Sequence, residues 1–266
     1  PAFVAELLTA LPMEAVIRYA RHSAYGMQKK YDGHRHAVSY LLGDVVAYNR
    51  LGQNIPVPPG IGEAMAEIAK RHRVAALMFD GEYVHGRFVA FDLLVSDTDC
   101  RDLAFRDRYD MLAALLRGTS KILLAPLYVQ PDEVVKAITE EKERRGEGVV
   151  FKRLDKGYMP GRQGVNCKVK FWTQATVRIA RKQKSTKHHS FGTEVLRDGR
   201  WQYTGSVTCK GPLPEIGTYR EVKYLYVNGE FGHLYQPEDW GERTDVTDAD
   251  CAYSQLKLKQ SKEDSL

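Results

Sequence analysis

Cysteine is scarce and unpaired in this sequence. Cys100, Cys167, Cys209 and Cys251 lie far apart with no C-x-x-C step, which speaks against a zinc knuckle and against a disulfide framework. Free buried thiols are expected. No apolar run approaches the roughly 18 residues of a membrane span, so no membrane partner is expected. The opening Phe3–Leu8 is interrupted by Glu6 and lacks a basic flank, unlike a secretory signal. An intracellular, cytoplasmic protein is the resulting expectation.

The chain has 266 residues, 43% hydrophobic and 27% charged, the composition of a globular protein with room for two modest domains. A net charge of +5 is mild support for a polyanionic partner. How that charge is distributed says more. From residue 173 onward there are 14 Lys+Arg against 13 Asp+Glu, yet Arg178, Arg181, Lys182, Lys184 and Lys187 follow one another without an acid. That run reads as a loop contacting a phosphate backbone.

Residues 28–35 place Lys30, Asp32, Gly33 and Arg35 in the frame K-x-D-G-x-R. A lysine amine is nucleophilic only when deprotonated, which needs desolvation or neighbouring positive charge. Asp32 is suited to orient the amine or a metal ion, Gly33 to a tight turn, and Arg35 to a phosphate or ribose. Taken alone, the hexapeptide is equally a surface hairpin around a D-G turn.

Along the rest of the chain, apolar spacing in 3–20, broken at Pro12, predicts two short helices. Strands are expected at 37–42 and 45–48, with Arg50 in the turn that follows, and a helix over 61–72. A strand at 74–79 runs into Asp80-Gly81-Glu82, and an aromatic strand at 88–94 carries Phe91. The amphipathic helix at 103–116 has an Arg- and Asp-rich face that reads as solvated. A second helix covers 131–145. Glu147 then opens a strand ending at Lys152, a lysine able to reach phosphate, and period two puts Lys168 and Lys170 on one face of the strand 166–172. Two such lysines repel unless an anion lies between them. An edge strand guarded by lysine is the competing reading. Beyond residue 172 the expected strands 175–180, 191–195, 201–209, 220–227 and 232–235 suggest a small OB-type barrel, with a frayed tail from Gln255.

The ordered series K-Y-D-G-H-R (30–35), Arg50, D-G-E (80–82), F-D-L-L (91–94), E-G-V-V-F-K (147–152) and K-V-K (168–170) closely resembles the covalent nucleotidyltransferases, and among them the compact ATP-dependent DNA ligases. The resemblance covers about 140 residues. It implies an α+β chain, an adenylation domain over 1–172 followed by an OB-fold domain over 173–266. It also implies a monomer acting on nicked double-stranded DNA with ATP and Mg2+ or Mn2+. Lys30 would take up AMP, with Asp32, Arg35, Lys168 and Lys170 assisting. Gln28, Arg35, Arg50, Glu82, Phe91, Glu147, Lys152, Lys168 and Lys170 would line the nucleotide site, Phe91 stacking on adenine, and Glu82 and Glu147 would serve the metal. Arg35, Arg50 and the basic run would meet DNA. No counterpart of the cap, zinc or helix-hairpin-helix modules of NAD-dependent ligases is seen, which favours ATP. Two departures stand out: Gln28 occupies a position where many ligases carry Glu, and Arg243-Thr244-Asp245-Val246 has valine where the family's last motif, R-x-D-K, has lysine. The competing classes are an RNA ligase or capping-type guanylyltransferase, and a non-catalytic OB-fold protein that binds nucleic acid.

Overall fold

The computed structural model describes residues 3–183, 189–209, 211–228 and 232–259. The chain divides into two compact units, Pro1–Lys142 with Glu147–Lys170, and Glu143–Gly146 with Phe171–Leu266. In the first unit the strands are β1 (Thr9–Ala10), β2 (Tyr25–Lys29), β3 (His34–Leu41), β4 (Asp44–Tyr48), β5 (Asn54–Ile55) and β6 (Ala76–Val84). They continue as β7 (Arg87–Ser96), β8 (Thr98–Asp99), β9 (Ile122–Leu124), β10 (Gly148–Arg153) and β11 (Cys167–Lys170). The helices are α1 (Val16–Ala20), α2 (Ile61–His72), α3 (Phe105–Leu116) and α4 (Pro131–Glu143). The class is α+β, as expected.

Two sheets form, one ordered β5-β4-β3-β6-β7-β8 with β9 beside β7, the other β1-β11-β10-β2. Alternation along the strands of the larger sheet assigns its two faces. Val38, Leu77 and Phe79 join the apolar stripe of α2 (Ile61, Met65, Ile68) and Leu112 and Leu115 of α3 in the main core. Ala37 and Leu94 turn the other way, to Phe3, Ala5 and Tyr158. Arg35 shares the parity of Ala37, and its register partner on β6 is Glu82. The charged motif residues of this sheet therefore lie on the face away from the helices.

The N-terminal segment departs from expectation. Residues 3–11 are extended rather than helical: Gly161 N–H donates to the Ala5 carbonyl, Leu7 N–H to Gly161, Thr9 N–H to Asn166 and Leu11 N–H to Lys168. These partners lie more than 150 residues away in sequence, so local periodicity carries no trace of them. A second departure lies on α3. Its Arg108 is 1% exposed and forks onto the buried Asp92 at 2.8 and 2.9 Å, so that face is not wholly solvated.

The second unit contains β12 (Thr173–Gln183), β13 (Ser190–Arg197), β14 (Arg200–Thr208), β15 (Tyr219–Tyr224), β16 (Val227–Asn228), β17 (His233–Leu234) and β18 (Glu238–Arg243). A closed barrel runs β12-β13-β14-β18-β15 around Val177, Ile179, Phe191, Val195, Val207 and Val222. The fifth barrel strand is thus β18 and not the expected 232–235, where β17 pairs with β16. The expected loop at 178–187 is strand as far as Gln183; Lys184 and Lys187 lie outside the described residues. The tail is also ordered further than expected: Gln255 bonds both ways to the Thr176 backbone, Leu256 is buried, and Lys259 N–H donates to Val227.

Candidate active site

β2 is the last strand of the smaller sheet: Tyr25–Lys29 pairs along β10, and Lys30 continues the pairing with its N–H on the Gly148 carbonyl at 2.9 Å. Register then sets a row of side chains across three strands. Gln28 lies opposite Val150, and Val150 opposite Lys168; Gly148 lies opposite Lys170. Gly148 tolerates no side chain, since a Cβ would fall 2.1 Å from the Val169 carbonyl oxygen. Gly33 is required for a similar reason, with a Cβ 2.3 Å from the Tyr83 carbonyl oxygen. Close approach to β6, and not a positive φ, is what this glycine provides.

Lys30 Nζ sits 2.5 Å from Glu147 Oε2, and Lys170 Nζ is 3.5 Å from Glu147 Oε1. The Glu147 side chain is 3% exposed. Lys168 is half-buried beside both other lysines; burial first, then Lys170 and Lys30, hold its ammonium below the usual lysine range. Three ammonium groups thus gather around one buried carboxylate. The surplus positive charge suits an anion. Glu82 faces the same cleft, accepts the Gly33 N–H at 3.2 Å, and is pushed up to about 7 by burial against the opposing pull of Lys30 and Arg35.

Arg35 forks onto Asp80 at 2.9 and 2.5 Å, and Tyr158 donates to the same carboxylate at 2.9 Å. Its guanidinium carbon lies 5.5 Å from the Phe91 ring centre, with Phe91 only partly covered. Lys152 departs from the expected phosphate reach. Its ammonium is 4% exposed, paired with Glu6 at 3.0 Å and Asp92 at 3.5 Å, and lies 5.9 Å from the Phe91 ring centre. Gln28 is 2% exposed, and its side-chain Nε2 has no hydrogen-bond partner among the described residues. Asp32 lies in the connection from β2 to β3, and Arg50 is exposed on the turn after β4. Among the described residues no group of three or more His, Cys, Asp or Glu is arranged to hold a metal ion. Glu82 and Glu147 remain a pair of carboxylates.

Sequence reasoning missed Glu6, Tyr158 and Asn166. One signal was available: Glu6 is an acid inside an otherwise apolar stretch, a position that burial permits only with partners. In the barrel, Arg178 is held by Glu194 at 2.7 Å and stacks 3.8 Å from the Trp201 ring centre. Arg181 donates to the Tyr203 hydroxyl at 2.6 Å, and Lys182 pairs with the exposed Glu215 at 2.7 Å. Arg243 bonds to Asp245 and Glu221.

No protein-family model matches the chain. It is 29% identical over 186 residues, 58% of its length, to a DNA ligase of Archaeoglobus fulgidus. The chain spans about a third of the length of this curated relative, 33%. Among solved structures it superposes on Pmar-Lig_Pre with a TM-score of 0.71 at 15% identity, covering 92% of this chain and 68% of that one. A Lig E DNA ligase gives 0.65 at 16% identity over 91% of this chain and all of that one. Mycobacterial DNA ligase D, complexed with ATP and MES, gives 0.56 at 20% identity over 94% and 97%. The fold is that of the DNA ligases. Within a DNA-ligase fold, the lysine cluster lies on the smaller sheet of the first unit and the barrel forms the second. No helix among the described residues is long and apolar enough to cross a membrane.

Proposed function

We propose that this chain is an ATP-dependent DNA ligase that seals nicks between a 5′-phosphate and a 3′-hydroxyl in duplex DNA, with Lys30 as the nucleophile. The observation that carries this reading is the packing of Lys30, Lys168 and Lys170 about the buried Glu147, 2.5 Å from the Lys30 amine. In the first step the Lys30 ammonium yields a proton, for which Glu147 is the adjacent acceptor. Its nitrogen then bonds to the α-phosphorus of ATP as the bond to pyrophosphate breaks. In the second step a 5′-phosphate oxygen of the nick displaces the lysine and takes over the AMP. In the third the 3′-hydroxyl attacks that 5′-phosphorus, AMP leaves, and the phosphodiester is complete.

Each step is an in-line substitution at phosphorus, for which fixed positive charge is the main resource. On this reading Lys168 and Lys170 stabilise charge at the α-phosphate, and Phe91 stacks on the base. Glu82 and Glu147 are hard oxygen donors. They would hold a Mg2+ or Mn2+ ion, and such an ion would supply charge neutralisation. Arg50, Arg181 and Lys182 are assigned to the DNA backbone.

Incubation with α-labelled ATP and Mg2+ should label the protein covalently, and a nicked duplex should be sealed. Lys30→Ala should do neither. A Lys30→Ala protein that still labels and seals would sink the reading, and preferential labelling by GTP would point to a capping-type enzyme instead.

A further inference from the structure

Outside the lysine cluster, Glu6 is a buried acid with several partners, 4% exposed on the extended N-terminal segment. Its Oε2 accepts from Lys152 at 3.0 Å and Asn166 at 2.7 Å, and its Oε1 from the Met159 N–H at 3.3 Å. Its main chain is engaged as well: the N–H donates to the Tyr158 hydroxyl at 2.9 Å and the carbonyl accepts from Arg35 at 2.5 Å. One residue thus holds Lys152 through its side chain and Arg35 through its backbone. These two cations lie 5.9 and 5.5 Å from the centre of the Phe91 ring.

A buried ion pair adds little net stability, because desolvation offsets most of the attraction. What it does impose is geometry: a buried ammonium cannot leave its carboxylates without stranding a charge. Lys152 has two such anchors, Glu6 on the N-terminal segment and Asp92, next to Phe91 in the chain. Asp92 is already shared with Arg108. Lys152 stands on β10 of the smaller sheet and Asp92 on β7 of the larger, so Glu6 is the anchor that ties Lys152 to the N-terminal segment.

We propose that Glu6 is a positioning residue of the nucleotide pocket, which fixes Lys152 and Arg35 and through them the Phe91 ring that receives the base. This rests on the reading of Phe91 as the base platform. Glu6→Gln turns one oxygen into an N–H donor, offering Lys152 an amide in place of a carboxylate while keeping the side-chain volume. In self-adenylylation with ATP, Glu6→Gln should raise KM for ATP at least fivefold and leave kcat within twofold. Glu6→Asp, which keeps the charge, should fall between it and the wild type. All three proteins are assayed at least 15 °C below their own melting temperatures, so that stability does not enter KM. Should Glu6→Gln fail to fold, the KM of Glu6→Asp decides alone, and an unchanged value overturns the proposal.

The double variant Glu6→Gln/Lys152→Met separates positioning from mere charge neutralisation. It removes both charges together, so thermal stability should recover relative to Glu6→Gln while KM stays raised. Return of KM to the wild-type value would overturn the proposal, as would an unchanged KM in Glu6→Gln. Absence of any labelling in the wild type would instead overturn the ligase reading.

Discussion

Gln28 illustrates what a single buried side chain reveals. Its Nε2 is enclosed and without a partner among the described residues, although a buried unpaired donor costs about 1–3 kcal/mol. It lies on the strand that leads to Lys30, in the row shared with Val150 and Lys168. A purine edge that presents an acceptor would complete it. Replacing Gln28 with Met removes the unpaired donor at similar volume, so Gln28→Met should be more stable than the wild type by about 1 kcal/mol. The same variant should bind ATP about tenfold more weakly, since a lost hydrogen bond of about 1.4 kcal/mol is a factor of ten. Urea denaturation and KM for labelling check the two halves. A variant destabilised and unaltered toward ATP would mean that Gln28 is an ordinary core residue. The position of Gln28 was legible from the motif, but the missing partner was not, because it depends on what β10 and β11 place beside it.

At the scale of elements, the N-terminal segment docks by backbone bonds and by Glu6, and that docking carries a pH signature. Burial pushes the Glu6 carboxyl up, but Lys152, Asn166 and the Met159 N–H outweigh it and hold it below its ordinary value of 4.5. A folded-state value lowered in this way contributes stability that is fully present above the unfolded value and lost as pH falls through the folded one. The wild type should therefore exceed Glu6→Gln in urea midpoint at pH 6–7, and the gap should close as pH falls below about 4.5. A gap that persisted unchanged to pH 3 would show that folding does not lower the Glu6 carboxyl below its ordinary value, and a gap that shifted in favour of the wild type on acidification would show that the native group is neutral. This segment is also where sequence reading erred. Phe3, Leu7, Leu8 and Leu11 fall at helical spacing, yet the backbone of Ala5, Leu7, Thr9 and Leu11 finds its partners among residues 161–168. The reading of α3 erred differently, since the signal was present. Arg108 lies three residues after Phe105 and four before Leu112, both buried, and so falls on the apolar stripe that spacing alone identifies.

At the scale of the molecule, the motifs in the first unit were legible because each is contiguous and their order is distinctive, whereas the barrel had only short strands and a charge run to offer. The structure divides that run. Arg178 is committed to Glu194 and stacked on Trp201, which makes it a part of the barrel wall. Arg181 and Lys182 are exposed on the last turns of β12, with partners, Tyr203 and Glu215, that a phosphate can replace. Each phosphate contact on duplex DNA contributes about 0.9 to the slope of log K against log salt. The double variant Arg181→Ala/Lys182→Ala should bind nicked duplex more weakly and lower that slope by roughly 2 if both residues meet phosphates. Self-adenylylation should be unchanged, because the nucleophile and its lysines belong to the other unit. Arg178→Ala should instead lower the melting temperature of the barrel. Binding measured across a salt series, alongside labelling with ATP, separates the cases. Were labelling to fall as far as nick sealing in the double variant, β12 would be part of the nucleotide site and the division of labour between the two units would be wrong.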